Sequence, residues 1–401
     1  MTGAPEYPFR NPTALEPPPE WAELRQGCPV APIRLASGDE ALLLTRYDDV
    51  RQVLSDPRFT RRLDAEDAAR VTANESGGVF GGALSGASTM SGENHRAWRQ
   101  LVGKAFTAKR VTAMQPRIQA ITERLVDRMV AEGQPADLVS SVGFPLPVWA
   151  ICDLLGVPDS DRDRFAYWSD TMLSMTRFTQ EEIDAAQAEF DAYLIALVEA
   201  KRAEPGDDLI SELLVMVEGL DGRLTEQLLL GTAKGLLVAG HETTANMIGK
   251  MMSMLLSDPA RWQALLADRA LIRPAVEESL RFDANPGFGM PRYLSEEVEV
   301  GGERLPGGTT VICSMAAANR DERQFERAAE MRLDRSPNPH VAFGVGPHSC
   351  LGQALARTEL QTVLKVLLDR LPTLELAVPA TALRRREGLI VGGLEQVQVR
   401  W

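Results

Sequence analysis

Apolar and polar positions change period along the chain, and the period predicts the elements. Ile33 to Leu35 and Ala41 to Thr45 are short apolar runs on either side of Ser37-Gly38-Asp39, which reads as a β-hairpin. A helix begins near Asp48 and stops before Pro57. From about Asn94 to Leu371 helical spacing dominates, with start signals at Asp159, Thr179, Thr225 and Asp258, the last followed by Pro259. A long helix is expected from about Leu228 to Leu256. Strand candidates are short: Val298 to Val300, Thr309 to Cys313, Leu374 to Val378 and Val397 to Trp401. The pattern predicts a mainly α fold with small peripheral β-sheets. Prolines at 5, 8, 12, 17, 18 and 19 make residues 1–20 an extended arm. Asn74 to Gly92, rich in Gly and Ser, reads as a mobile loop and candidate lid.

Composition narrows the function classes. The 401 residues hold 43 Lys plus Arg against 56 Asp plus Glu, a net charge of −13, which argues against a nucleic-acid binder working by bulk positive charge. The longest apolar stretch, Leu228 to Ala239, is interrupted by Lys234 and Gly235 and is too short to span a membrane. The N-terminus has neither the basic nor the apolar region of a secretory signal. The expectation is a soluble, cytoplasmic protein with no nucleic-acid or membrane partner. Cys28, Cys152, Cys313 and Cys350 form no C-x-x-C pair, against structural zinc, iron-sulfur or thioredoxin chemistry. One segment reverses the sign of the chain: Asn94 through Thr122 carries Arg96, Arg99, Lys104, Lys109, Arg110 and Arg117 and no acid. It reads either as a solvated basic face or as a docking surface.

Common catalytic motifs fail. His241-Glu242-Thr243-Thr244-Ala245 begins like a zinc-protease helix but ends in Ala where the second His belongs. Gly344-Val345-Gly346 has Ser349 at the third glycine position of a dinucleotide loop. The segment Phe343 to Gly352 remains. It runs into an amphipathic helix, so Cys350 falls at a helix N-terminus, where free N–H groups favour thiolate. Gly344 and Gly346 permit a tight reversal and Gly352 a close flat approach.

This segment resembles the haem-binding loop F-G-x-G-x-H-x-C-x-G of the cytochromes P-450, the haem-thiolate monooxygenases, and all six specified positions match. The resemblance implies haem b with Cys350 as axial iron ligand, Phe343 beside the sulfur and His348 at a propionate. Ala239-Gly240-His241-Glu242-Thr243-Thr244 is similar to the family's oxygen-activating helix segment. Thr243 can bond the Ala239 carbonyl and loosen the helix there, and Glu242 can relay protons to it. His95 and Arg99 match H-x-x-x-R and, with Arg292, are implied to hold the propionates. Glu278-Ser279-Leu280-Arg281 resembles E-x-x-R. Glu277 stands equally well placed for Arg281, and the resemblance alone selects Glu278. The family's third member of that pair is an Arg; Glu330 occupies its expected place here, leaving Arg327 or Arg332 to substitute.

The motifs run in family order over nearly the whole chain, implying one domain over residues 1–401. The implied activity is insertion of one oxygen atom of dioxygen into a small organic substrate of secondary metabolism, by hydroxylation or epoxidation. Electrons are implied to come from NAD(P)H through a ferredoxin reductase and a ferredoxin. The alternatives are a haem-thiolate peroxygenase or oxidative-coupling enzyme, and a non-enzymatic haem sensor. Candidate pocket residues are Val238, Met90, Phe288 and Leu394, and their apolar character favours a lipophilic substrate.

Overall fold

The computed structural model describes residues 4–63, 65–71, 92–173, 178–219, 226–285, 287–386 and 391–401. Strands β1 (Val30–Arg34) and β2 (Glu40–Leu44) form the hairpin, with Ile33 opposite Ala41 and Gly38 turning the chain at φ +89°. The proline-rich arm lies along it: the Tyr7 N–H donates to the Arg34 carbonyl and the Arg34 N–H to the Pro5 carbonyl, each at 2.9 Å. Helices α1 (Glu20–Gly27) and α2 (Tyr47–Ser55) follow the proline punctuation.

Helix dominates the middle of the chain through α3 (Gly92–Val102), α4 (Ala108–Glu132), α5 (Pro145–Leu155), α6 (Arg162–Leu173), α7 (Gln180–Ala203), α8 (Leu209–Gly219) and α9 (Glu226–Leu256). Later come α10 (Pro259–Ala267), α11 (Ile272–Phe282), α12 (Met315–Ala318) and α13 (Gln353–Arg370). Their start signals work as caps. Thr179 and Glu182 form a reciprocal capping box on α7, and Asp258 accepts from the Ala260 N–H at 3.0 Å ahead of Pro259. Asp159 instead opens a short 3-10 turn, Asp159–Asp161, directly before α6. Thr225, the lid candidate from Asn74 to Ser91, and Met90 within it lie outside the described residues; Gly92 opens α3.

The remaining strands are β3 (Phe59–Thr60), β4 (Ala136–Asp137), β5 (Met290–Leu294), β6 (Val298–Val300), β7 (Glu303–Leu305), β8 (Thr310–Cys313), β9 (Glu375–Leu376) and β10 (Gln398–Arg400). The largest sheet has the order β1-β2-β8-β5-β3, with β2 parallel to β8 and Leu42 opposite Val311. β5 escapes the sequence pattern because Met-Pro-Arg-Tyr-Leu does not alternate. Its Pro291 is tolerated because β3 pairs only with Tyr293 and Leu294, leaving the start of β5 bonded on one side. β4, β9 and β10 form a second sheet, and β6 and β7 a third.

The 31-residue α9 runs through the interior and packs against α5, α11 and α13. Leu237, Ile248, Met251, Met252 and Leu255 are fully buried along it. Among the described residues no helix is long and apolar enough to cross a membrane.

Candidate active site

The Cys350 loop is built by its glycines. Gly344 and Gly346 take φ +67° and +74°, the left-handed region that an L side chain rarely enters. At Gly346 a Cβ would also lie 2.7 Å from the Leu54 carbonyl oxygen, so the loop rests on the end of α2 with no room for a side chain. The loop closes on itself, the Cys350 N–H donating to the Phe343 carbonyl at 2.8 Å and the Ser349 N–H to Gly346 at 3.1 Å. Gly352 caps α13, so Cys350 stands just ahead of that helix. A Cβ on Gly352 would meet only Phe106, at 4.0 Å. The Arg357 guanidinium lies 4.5 Å above the Phe343 ring. Burial pushes the Cys350 thiol up, outweighing the Gly352 N–H and the charges of Arg99 and Arg357, which pull it down. The Gly352 N–H at the head of α13 is the pull toward thiolate that a helix end supplies, and Cys350 is nonetheless exposed there.

A cluster of bases converges beside the loop. The His95 ring, on α3, lies 4.1 Å from the His348 ring, and the Arg99 guanidinium donates to the Ser349 hydroxyl at 3.1 Å. Arg292, on β5, is buried and donates to the Pro291 carbonyl at 2.8 Å. Arg61, just past β3, joins them and had no signal in the sequence. Burial, then Arg61, His95, Arg292 and Arg99 in turn, push His348 down to about 3. Arg61 itself is held down at about 10 by burial and by Arg292 and Arg99. Burial, Arg99 and Arg61 also lower His95. The forces on these groups come from desolvation, from one another and from cysteine sulfur. His348 Nδ1 is buried with no hydrogen-bond partner among the described residues. Such a site asks for a ligand carrying two carboxylates beside a metal-binding sulfur, and haem b, with two propionates and an iron, fits it.

On α9, the Thr243 hydroxyl donates to the Ala239 carbonyl at 2.7 Å, as the spacing predicts. Ala239 is exposed and Gly240 half-buried, although Leu237 and His241 flanking them are fully buried. The interior helix thus faces an opening at this point. Glu242 is half-buried next to it, while Val238's side chain lies outside the described residues. His241 packs edge-on to Phe144 and is pushed down to about 3 by burial, so it is a neutral core histidine. Trp98 donates to Thr232 at 2.9 Å and packs on the main core.

The Glu278/Arg281 pair is fully buried and bidentate, with both contacts at 2.8 Å. Its third member corrects the expectation: Arg335, not Arg327 or Arg332, puts its Nε 3.1 and 3.0 Å from the two Glu278 oxygens. Arg327 pairs with the exposed Glu330 side chain, and Arg332 contributes only its backbone N–H, 2.8 Å from Glu278. Glu330 keeps a role through its carbonyl, which accepts from both Arg281 and Arg335. Glu277 turns to His340 at 3.0 Å and Arg357 at 2.8 Å. Leu394 is a second correction. At 2 % exposure it belongs to the main core and lines no open wall. Phe288 is half-buried against Tyr7, ring centres 5.3 Å apart. The basic segment is partly neutralised by acids from elsewhere: Arg110 pairs with Glu212, Arg117 with Asp153 and Arg96 with Glu93.

A glycine-built cysteine loop beside a group of bases that repel one another is the arrangement expected of haem-thiolate proteins. Known proteins agree. The family model described as Cytochrome P-450 matches residues 263–377. The chain is 43% identical to the mycinamicin IV hydroxylase/epoxidase of Micromonospora griseorubida, over 98% of both chains. It is 42% identical to the nocardicin C N-oxygenase of Nocardia uniformis subsp. tsuyamanensis, again over 98% of both. Among solved structures, the putative thioether synthase SgvP, involved in the tailoring step of griseoviridin, superimposes with a TM-score of 0.92 at 40% identity, over 100% of both chains. A point mutant of the mixed-function MycG in complex with mycinamicin IV gives 0.91 at 42% identity, over 99% of this chain and 100% of that one. The chain belongs to the cytochrome P-450 family; it is a haem b monooxygenase.

Proposed function

We propose that this monooxygenase hydroxylates or epoxidises a lipophilic, macrolide-sized natural product in the cytoplasm, with electrons passed from NAD(P)H through a ferredoxin reductase and a ferredoxin. The observation that carries the site assignment is the convergence of Arg61, His95, Arg99, Arg292 and His348 beside Cys350. These bases would hold two propionates, and Cys350 Sγ would bind the iron. Phe343, Gly344, Gly346 and Gly352 shape the loop around the sulfur, and Ala239 and Gly240 would leave room beside the bound group. When bound, thiolate-ligated haem supplies the activation of dioxygen.

The chain's own groups manage protons. Because the Thr243 hydroxyl spends its hydrogen on the Ala239 carbonyl, it presents lone pairs to the opening and acts there as an acceptor. Glu242, adjacent in the helix, is the group that exchanges protons with solvent. Phe288, half-buried against Tyr7, is the candidate pocket residue carried into this reading. The substrate class rests on the names of the relatives, one a macrolide hydroxylase/epoxidase and another an N-oxygenase.

Cys350→Ala tests the centre: the red-shifted Soret band of the reduced carbon monoxide adduct should vanish, and its survival would refute the ligand. Product formation should require NADPH, reductase and ferredoxin together. Equal turnover with peroxide alone would make the protein a peroxygenase instead.

A further inference from the structure

Thr243, Asn246 and Lys250 stand at i, i+3 and i+7, on one face of α9. Between them they reach two segments: Thr243 and Lys250 meet the turn that follows α11, and Asn246 meets the C-terminal segment at Val391. Asn246 donates to the Val391 carbonyl at 3.4 Å. Lys250, 1% exposed, meets Asp283 Oδ1 at 2.8 Å, while Arg385 holds Asp283 Oδ2 at 2.9 Å. Asn285 sits between these ties. Its carbonyl accepts from Gly392 at 3.1 Å and Gly287 at 2.7 Å. Its side-chain amide donates to the Thr243 carbonyl.

A buried ionic seam is no more stable than well-packed apolar residues of the same volume, so stability alone does not explain it. What it fixes is position. The Thr243 hydroxyl shares the Ala239 carbonyl with the helix ladder, and the Thr243 carbonyl in turn receives a donor from outside the helix. Asn285 is that donor; Gly392 donates to its carbonyl, and Lys250 holds the preceding Asp283 and Ala284 carbonyls at 3.3 and 3.5 Å. A carbonyl can only accept, so the bond requires the amide nitrogen and no carboxylate replaces it.

We infer that Asn285 is the positioning residue for Thr243: it sets where the threonine hydroxyl stands and thereby ties proton delivery to the turn after α11 at Asp283 to Asn285 and to the segment at Val391 and Gly392. This rests on the reading of Thr243 given above. The test compares the haem-loaded protein with Asn285→Leu, which keeps the side-chain shape without the donor, and with Asn246→Leu, which breaks the neighbouring tie. Hydrogen exchange should rise about tenfold at the amides of residues 240–247 in Asn285→Leu. With ethoxycoumarin as probe and ferredoxin as donor, product per NADPH should fall on the order of tenfold, with hydrogen peroxide making up the difference. Asn246→Leu should keep at least half of the wild-type product yield.

Thr243→Ala should uncouple by itself, and adding Asn285→Leu to it should change nothing further. Wild-type exchange and coupling in Asn285→Leu overturn the inference. An uncoupled Asn285→Leu beside a fully coupled Thr243→Ala overturns the reading of Thr243 instead. If Leu is not tolerated, Asn285→Ser, too short to reach the carbonyl, carries the same expectations.

Discussion

Arg335 shares the Glu278 carboxylate with Arg281, its Nε 3.0 and 3.1 Å from the two oxygens. All three side chains are buried, so removing one cation leaves a charge without full compensation. Arg335→Leu should cost about 3 to 5 kcal/mol of stability, read as the urea midpoint and as loss of haem during purification. Arg327→Ala should stay within about 0.5 kcal/mol, because its ion pair with Glu330 is exposed. Equal effects of the two would refute the assignment of Arg335.

Arg61 should matter for haem retention as much as Arg99 does. Removing one charge-assisted contact to a carboxylate costs roughly 1.5 to 3 kcal/mol, or about 10- to 100-fold in affinity. Competition for haem with apomyoglobin measures it. Arg61→Ala should release haem faster by that factor, whereas Arg62→Ala should match the wild type.

The two loop glycines should differ in cost. Both need positive φ, so alanine strains either by about 1 to 2 kcal/mol. At Gly344 the nearest atom to a new Cβ is 3.9 Å away, but at Gly346 it would strike the Leu54 carbonyl at 2.7 Å. Gly344→Ala should therefore fold and take up haem, and Gly346→Ala should show the larger drop in melting temperature.

Glu277 gives the acid limb of stability a named contributor. Burial alone would raise its carboxyl, yet hydrogen bonds from His340 and Arg357 hold it at about 2 against an ordinary 4.5. A lowered folded value stabilises above the unfolded one and is lost as pH falls from about 4.5 toward about 2. Between about pH 6 and about pH 3.5 the wild type should lose ~1 kcal/mol more than Glu277→Gln, measured by urea unfolding.

If a ferredoxin docks on the basic segment, as proposed, it does so where the segment is not already paired. Lys104 and Lys109 are exposed, and Gly103 beside Lys104 lies near Leu351 of the cysteine loop, 3.8 Å from where its Cβ would stand. Charge reversal at Lys104 and Lys109 should slow reduction by ferredoxin and flatten its salt dependence. Arg110→Glu and Arg117→Glu should instead act mainly through Glu212 and Asp153. Unchanged rates for the lysine variants would remove this surface from consideration.

The cysteine loop was legible because its geometry admits few residues: two positive-φ glycines and a cysteine ahead of a helix leave a local mark. The caps at Thr179 and Asp258 were legible for the same reason. Arg61 and Arg335 were not, because each reaches its partners across the fold from an irregular segment with no periodicity. Leu394 misled because an apolar residue after two glycines suits a pocket rim and a core equally, and only its neighbours decide. The basic run from Asn94 to Thr122 misled in the opposite way: its counter-charges Glu212 and Asp153 come from other helices.

The pairing of β2 with β8 has a consequence for how the protein comes into being. The hairpin emerges early from the ribosome, yet its parallel neighbour at Thr310–Cys313 is made far later. The Tyr47 N–H finds its acceptor on Asp321, 274 positions on, and the Tyr47 hydroxyl finds Pro339, 292 on. Until then β2 presents an open edge, with Leu43 and Leu44 uncovered. Such non-local closure is slow and leaves an aggregation-prone interval during synthesis. Lower expression temperature and chaperone supply should therefore raise the yield of soluble protein more than added haem precursor does, since the sheet must close before the cysteine loop has α2 to rest on.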